Sequence, residues 1–128
     1  MASEFFSDIA STVLSKTMDT ASARQKAIAN NIANVETPGY KRSKVTFEDE
    51  LKSVLSRNTG HSVREGLKSL YPVCEKDAVN PAGANGNNVN IDAEIADLAK
   101  TTLKHKAAAV LLDGKISMLR SAIMEGKR

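Results

Sequence analysis

Tryptophan is absent from this chain, cysteine occurs once, histidine twice, and nowhere do 18 apolar residues run together. A single thiol cannot close an intrachain disulfide, and Cys74, His61 and His105 lie too far apart in sequence for zinc-ligand spacing. Cys74 is expected as a small, buried or half-buried thiol. The lack of a long apolar run speaks against a membrane-spanning helix. The start, MASEFFSDIASTV, likewise has neither the basic opening nor the apolar stretch of a cleavable secretory signal. Only five aromatics are present, Phe5, Phe6, Phe47, Tyr40 and Tyr71, among abundant alanines, a composition that favours thin helix-on-helix packing. The charge of +3 comes from 18 basic and 15 acidic residues spread along the chain, too dilute for a nucleic-acid footprint.

What is present is periodic. Residues 4 to 35 contain no glycine or proline, and a seam runs through Leu14, Met18, Ala21, Ile28, Ile32 and Val35, with Gln25 filling the gap. Alternating steps of four and three mark a coiled-coil seam, a geometry shared with the core stripe of a small bundle. The other end repeats the pattern at Ile91, Ile95, Leu98, Thr102, His105, Ala109, Leu112, Ile116, Leu119 and Ile123. Asn90 suits the N-cap of this second helix, and Asp92 and Glu94 suit the positive end of its dipole. Continuous from 91 to 124, it is a rod about 50 Å long. Gln25, Thr102 and His105 are polar members of the two seams, a means of fixing register, and His105 is expected hydrogen-bonded or partly exposed. Gly114 costs up to about 1 kcal/mol relative to alanine, which suggests a close backbone approach or a bend.

Between the helices the composition changes. TFEDELKSVLSR predicts a short helix with Thr46 and Asp49 at capping-box spacing and Phe47, Leu51, Val54 and Leu55 on one face. SLYPVCE reads as extended because Pro72 forbids helix, and NPAGANGNNVN, residues 80 to 90, as a mobile or irregular connection. GHSVREGLKS misses a phosphate loop: five residues rather than four separate Gly60 from Gly66, Leu67 intrudes before Lys68, and no strand signal precedes it. Glu48, Asp49 and Glu50 read as the charged first turn of the short helix. No catalytic, cofactor-binding or metal-binding residue is assigned, and a non-enzymatic chain without cofactors is expected. The expected fold is mainly α in one domain, 1–128. An N-terminal helix occupies 1–35, a turn, short helix and irregular middle 36–90, and a C-terminal helix 91–128, the terminal helices pairing as a coiled coil.

ANNIANVETPGYKR, residues 29 to 42, joins two unlike halves. On a helical wheel Ile32 and Val35 lie within about 40° of Ile28, and Asn30 and Asn34 on the opposite side. No residue from Ala27 to Val35 is charged, so the second face consists of Ala29, Ala33 and carboxamides that both donate and accept. Such a face suits hydrogen-bonded contact with another chain. Thr37-Pro38-Gly39-Tyr40 then stops the helix: proline removes a donor and restrains Thr37, and Gly39 can take the positive φ of a type II turn. Lys41, Arg42 and Lys44 read as a solvated basic patch.

The segment resembles the N-terminal signature of the bacterial flagellar axial proteins, the basal-body rod and hook family, A-N-N-[IL]-A-N-x-x-T-P-G-[YF]. Residues 29 to 40 match all of its fixed positions. The short length and the ending, residues 87 to 123, are similar to the proximal-rod members, and the RAYEAN-like ending of other rod proteins is absent. The resemblance implies a building block whose terminal helices form an inner coiled-coil layer of a helical tube, exported without a cleaved signal to a periplasmic rod in the basal body. Implied partners are copies of itself, other rod proteins and the ring and export-gate components, not nucleic acid or a small molecule. Asn30, Asn31, Asn34, Pro38, Gly39 and Tyr40 become candidate lateral contacts, with Ile32 and Thr37 completing the signature. A soluble helical adaptor or export chaperone that binds an amphipathic partner helix shares the seams and is the alternative.

Overall fold

Uninterrupted helical periodicity at both ends produces two long helices, α1 (Ala2–Ala33) and α4 (Ile91–Gly126). The computed structural model describes residues 2–126, and the side chains of residues 8–126. The last two residues of the expected C-terminal segment therefore lie outside the described residues. Gln25 reaches Thr102 across the pair, and Asn31 reaches Glu94, so the two helices run antiparallel. Two of the three polar seam residues thus meet each other, at 3.5 Å.

The paired faces differ in part from the expected seams. On α1, Ala21 and Ile28 are buried and Leu14, Met18 and Ile32 are half-buried, as is Val35 just beyond the helix. On α4 the fully buried line is Glu94, Thr101 and Ala108, seven residues apart, flanked by half-buried Leu98, Thr102, His105, Ala109 and Leu112. Ile91, Ile95, Ile116, Leu119 and Ile123 stay exposed. Two causes rotate α4. Small side chains at Thr101 and Ala108 allow close approach to α1, and Glu94 is drawn inward by polar partners described below.

The middle segment is more ordered than its composition suggests. β1 (Ser43–Thr46) and β2 (Val73–Lys76) form a two-stranded antiparallel sheet in which Ser43 faces Lys76 and Thr46 faces Val73. Between the strands lie α2 (Glu48–Leu55) and α3 (Gly60–Lys68). The SLYPVCE segment is extended as expected. The expected capping box is not formed: Thr46 ends β1, Phe47 takes the cap position of α2, and no side chain bonds the first turn. Burying Phe47 in the core requires the chain to leave the strand there, and this contact overrides the local cap. The GHSVREGLKS segment is helical, capped by Thr59, whose hydroxyl accepts from the Ser62 amide. Its Gly66 serves packing: a Cβ there would lie 2.7 Å from side-chain atoms of Val54 and Arg57.

The apolar core sits where α2 and α3 lean on the first half of α1. Phe47, Val54, Val63, Leu67 and Leu70 are buried there, with Ile9, Val13 and Leu51 packed against them. Each large side chain contributes roughly 1.5 to 3 kcal/mol when fully buried, so this cluster anchors the middle segment to α1. Two further expectations are corrected. Cys74 is exposed, because all four residues of β2 face outward. Gly114 is exposed, with nothing within 4 Å of a Cβ built on it, so it permits no close approach inside the chain.

Candidate functional site

The signature turn is built around one carboxamide. Asn31 is wholly buried, 0 % exposed, and its side chain uses all the capacity of an amide. Nδ2 donates to the Ser43 carbonyl at 2.8 Å and to Glu94 Oε2 at 3.0 Å. Oδ1 accepts from the Ser43 amide at 2.8 Å and from the Tyr40 hydroxyl at 3.1 Å. Asn31 thus stands where the peptide of a neighbouring strand would stand, closing the outer edge of β1. Aspartate has no donor for this geometry, and alanine leaves both main-chain groups of Ser43 without their partner. Arg24 extends the seal, donating to the Val45 carbonyl at 3.1 Å and holding both oxygens of Glu48.

Behind Asn31 lies a charged cluster that the sequence reading does not anticipate. Arg42 is not a solvated cation: its Nε donates to Glu94 at 2.7 Å and Nη1 to Asp77 at 2.8 Å, with Asp97 at 3.9 Å. Glu94 is 0 % exposed and takes Arg42 on one oxygen and Asn31 on the other. Burial works against the Arg42 charge, but the hydrogen bonds and fields of Glu94 and Asp77 outweigh it, and its pKa lies above the usual value. The Arg42 hydrogen bond, aided by the Val79 and Asn80 amides, holds the Asp77 carboxyl below its usual value. A partnered buried ion of this kind is costly to orphan, about 3–5 kcal/mol when one member is removed.

The asparagine tract is pinned rather than loose. Asn87 donates to the Asn34 and Thr37 carbonyls, both at 2.8 Å, a second bond on each that ties the tract to the turn just past α1. Asn88 accepts from the Arg42 amide at 2.6 Å and donates to the Asp77 carbonyl at 2.7 Å. Gly39 has φ +75°, and the Tyr40 amide bonds back to the Thr37 carbonyl at 3.3 Å, as the type II turn requires. A Cβ on Gly86 would lie 3.3 Å from the Gly39 Cα, so the two loops touch backbone to backbone. At the start of α4, Asn90 Oδ1 accepts from the Asp92 and Ala93 amides, the expected cap.

The signature residues therefore divide. Asn31 points inward, and half-buried Tyr40 sends its hydroxyl to it. Asn34 is half-buried, donating to the Asn30 carbonyl and accepting from the Thr37 hydroxyl. Asn30, Thr37, Pro38 and Gly39 remain on the surface. The residues missed by sequence reading, Arg42, Asp77, Asn87, Asn88 and Glu94, come from four separate stretches. The one local hint was the asparagine doublet following Gly86. Among the described residues no group of three or more His, Cys, Asp or Glu could hold a metal ion, and no helix is long and apolar enough to cross a membrane.

Comparison with known proteins agrees with this geometry. The family model for flagella basal body rod protein matches residues 12–41, the second part of α1 together with the turn. The flagellar basal body rod protein FlgB of Bacillus subtilis strain 168 is 32% identical over 120 residues, covering 89% of this chain and 92% of that protein. FlgB of Borrelia hermsii is 35% identical over 100 residues, covering 67% and 74%. FlgB of Escherichia coli strain K12 is 27% identical over 116 residues, covering 80% and 84%. Similarity of this extent, carried along both helices and the segment between them, makes the chain a member of the FlgB family of flagellar basal body rod proteins.

Proposed function

We propose that this chain is a structural subunit of the proximal rod of the bacterial flagellar basal body, assembling with copies of itself and other axial proteins into a helical tube that transmits torque and surrounds the export channel. The observation that carries this reading is the match to FlgB of Bacillus subtilis across 89% of the chain. The structure supports it in a specific way. α1 covers one side of α4, while Ile91, Ile95, Ile116, Leu119 and Ile123 stay open to solvent. Apolar residues repeated along one helix mark a surface for other chains. Neighbouring subunits complete the coiled-coil layer on that side. Exposed Asn30, Thr37, Pro38 and Gly39 supply polar lateral contacts, and a head-to-tail repeat with a rotation that does not close gives a filament. Ring and export-gate components are the partners at its base, reached through export without a cleaved signal.

Leu119→Glu, on exposed α4, is expected to leave the isolated chain folded yet prevent its incorporation into basal bodies and abolish motility. Ile32→Glu and Leu112→Glu, each at a half-buried position between α1 and α4, are expected to lose both the fold and incorporation. Normal incorporation of all three variants rejects the rod reading. The adaptor alternative predicts a complex of fixed stoichiometry with no concentration-dependent polymerisation, which sedimentation of the purified chain distinguishes.

A further inference from the structure

A trough runs between α1, β1 and α4, above the start of α2, and it has two unlike halves. The open half, about 340 Å³, is lined by Arg24, Arg42, Lys44, Lys100 and Lys104, with Glu48 and Asp97 as its carboxylates. Most of these charges are already matched. Arg24 grips both oxygens of Glu48, Arg42 is held by Glu94 and Asp77, and Lys44 lies 3.7 Å from Glu75. Two are not. Lys104 stands 4.0 Å from a Glu48 that Arg24 already occupies, and Lys100 has no carboxylate within 4.0 Å among the described residues. Four residues apart on one helix face, these two ammonium groups repel, and the two carboxylates of the trough are shared with guanidinium groups, Glu48 with Arg24 and Asp97, at 3.9 Å, with Arg42.

The second half adjoins the first at the Arg24–Glu48 pair. It measures about 180 Å³ and is mainly apolar, floored by Thr17, Ala21, Phe47 and Leu51. The halves share Arg24, Glu48, Thr101 and Lys104, so one occupant can fill both. An inorganic anion would answer the lysines and leave the apolar floor wet; a wholly apolar side chain would do the reverse. We infer that the trough receives an extended segment of a neighbouring protein bearing a carboxylate beside a leucine-sized side chain, the carboxylate between Lys100 and Lys104 and the apolar group on Ala21, Phe47 and Leu51. This assignment does not depend on the rod reading, since the partner is specified by chemistry alone and binding is measured on the isolated chain.

The test is a fluorescence titration of the full chain with a labelled, amidated hexapeptide of alternating leucine and glutamate, at about 0.05 M salt where charge is weakly screened. Saturable binding is expected, about tenfold or more tighter than for the lysine–leucine counterpart, weakening as salt is raised. The double variant Lys100→Glu, Lys104→Glu replaces exposed residues and is expected to keep its helical circular dichroism while binding at least about tenfold more weakly. Lys106→Glu, exposed on α4 outside the trough, is expected to bind as the parent does. No saturable binding, equal affinity for the two peptides, an unaffected double variant, or equal damage from Lys106→Glu overturns the assignment. Inorganic phosphate competing as well as the peptide also overturns it, leaving a simple anion site.

Discussion

At the scale of single residues, the buried carboxamide of Asn31 carries the strongest consequence. Asn31→Ala strands the amide and carbonyl of Ser43 and one oxygen of Glu94, and a loss of about 3 kcal/mol is expected from two or more unpaired buried groups. Asn31→Asp is nearly isosteric, yet it places a second carboxylate 3.0 Å from Glu94 and removes the donor, so it is expected to be at least as damaging. Urea denaturation followed by circular dichroism compares the two; an Asp variant as stable as the parent contradicts this account. Acid tests the ion pairs. The Arg24 hydrogen bond holds Glu48 below its usual value, as Arg42 does Asp77. Carboxyls depressed in the folded state bind protons more readily when unfolded. Their contribution is therefore complete above the ordinary carboxyl values of the unfolded chain, about 4, and disappears as pH falls through the depressed native values. The urea midpoint should decline over that window, and Asp77→Asn should shrink the decline. Asn31 was recognisable in the sequence as a signature residue but not as an inward one. Its neighbours Asn30 and Asn34 have the same side chain, and only Ser43, Tyr40 and Glu94 decide which amide turns inside.

At the scale of elements, Gly114 makes a sharp test of α4. It is exposed inside a long helix with open space around its Cα, and nothing inside the chain requires it. Gly114→Ala is expected to stabilise the isolated chain by about 1 kcal/mol, read as a higher thermal midpoint. An unchanged or lower midpoint would show that α4 is bent or contacted there in solution. Both long helices were legible because periodicity over more than thirty residues outweighs local ambiguity. The turn at 37–40 was legible too, since proline and a positive-φ glycine act locally. β1 was not, being four residues long and held by a side chain from α1 rather than by a strand on its outer edge. α3 was obscured by glycines at both Gly60 and Gly66, the second of which answers to Val54 and Arg57 across a tertiary contact. The rotation of α4 was invisible for a related reason: apolar spacing favoured Ile91 and Ile95, while Arg42, forty-nine residues before Ile91 in the numbering, pulls Glu94 inward.

For the molecule as a whole, the Asn31–Arg42–Glu94 cluster joins the terminal helices and the middle segment into one cooperative unit. Glu94→Ala is expected to raise amide exchange together at Ser43, Asp77 and Asn88 and along the first turns of α4, not at α4 alone. Exchange confined to α4 would mean the sheet and loop hold themselves together. The same cluster limits how the two long helices can be aligned. A seam of alternating fours and threes is nearly self-similar under a seven-residue slip, and in apolar terms alone α4 could slide along α1 by about 10 Å with little penalty. Such a slip brings Thr101 or Asn87 to the place of Glu94, and neither offers a carboxylate to Arg42 and Asn31. A misaligned hairpin would thus leave the Arg42 guanidinium with Asp77 alone and Asn31 without its carboxylate acceptor, and one acidic side chain selects a single alignment from a ladder of near-equivalent ones.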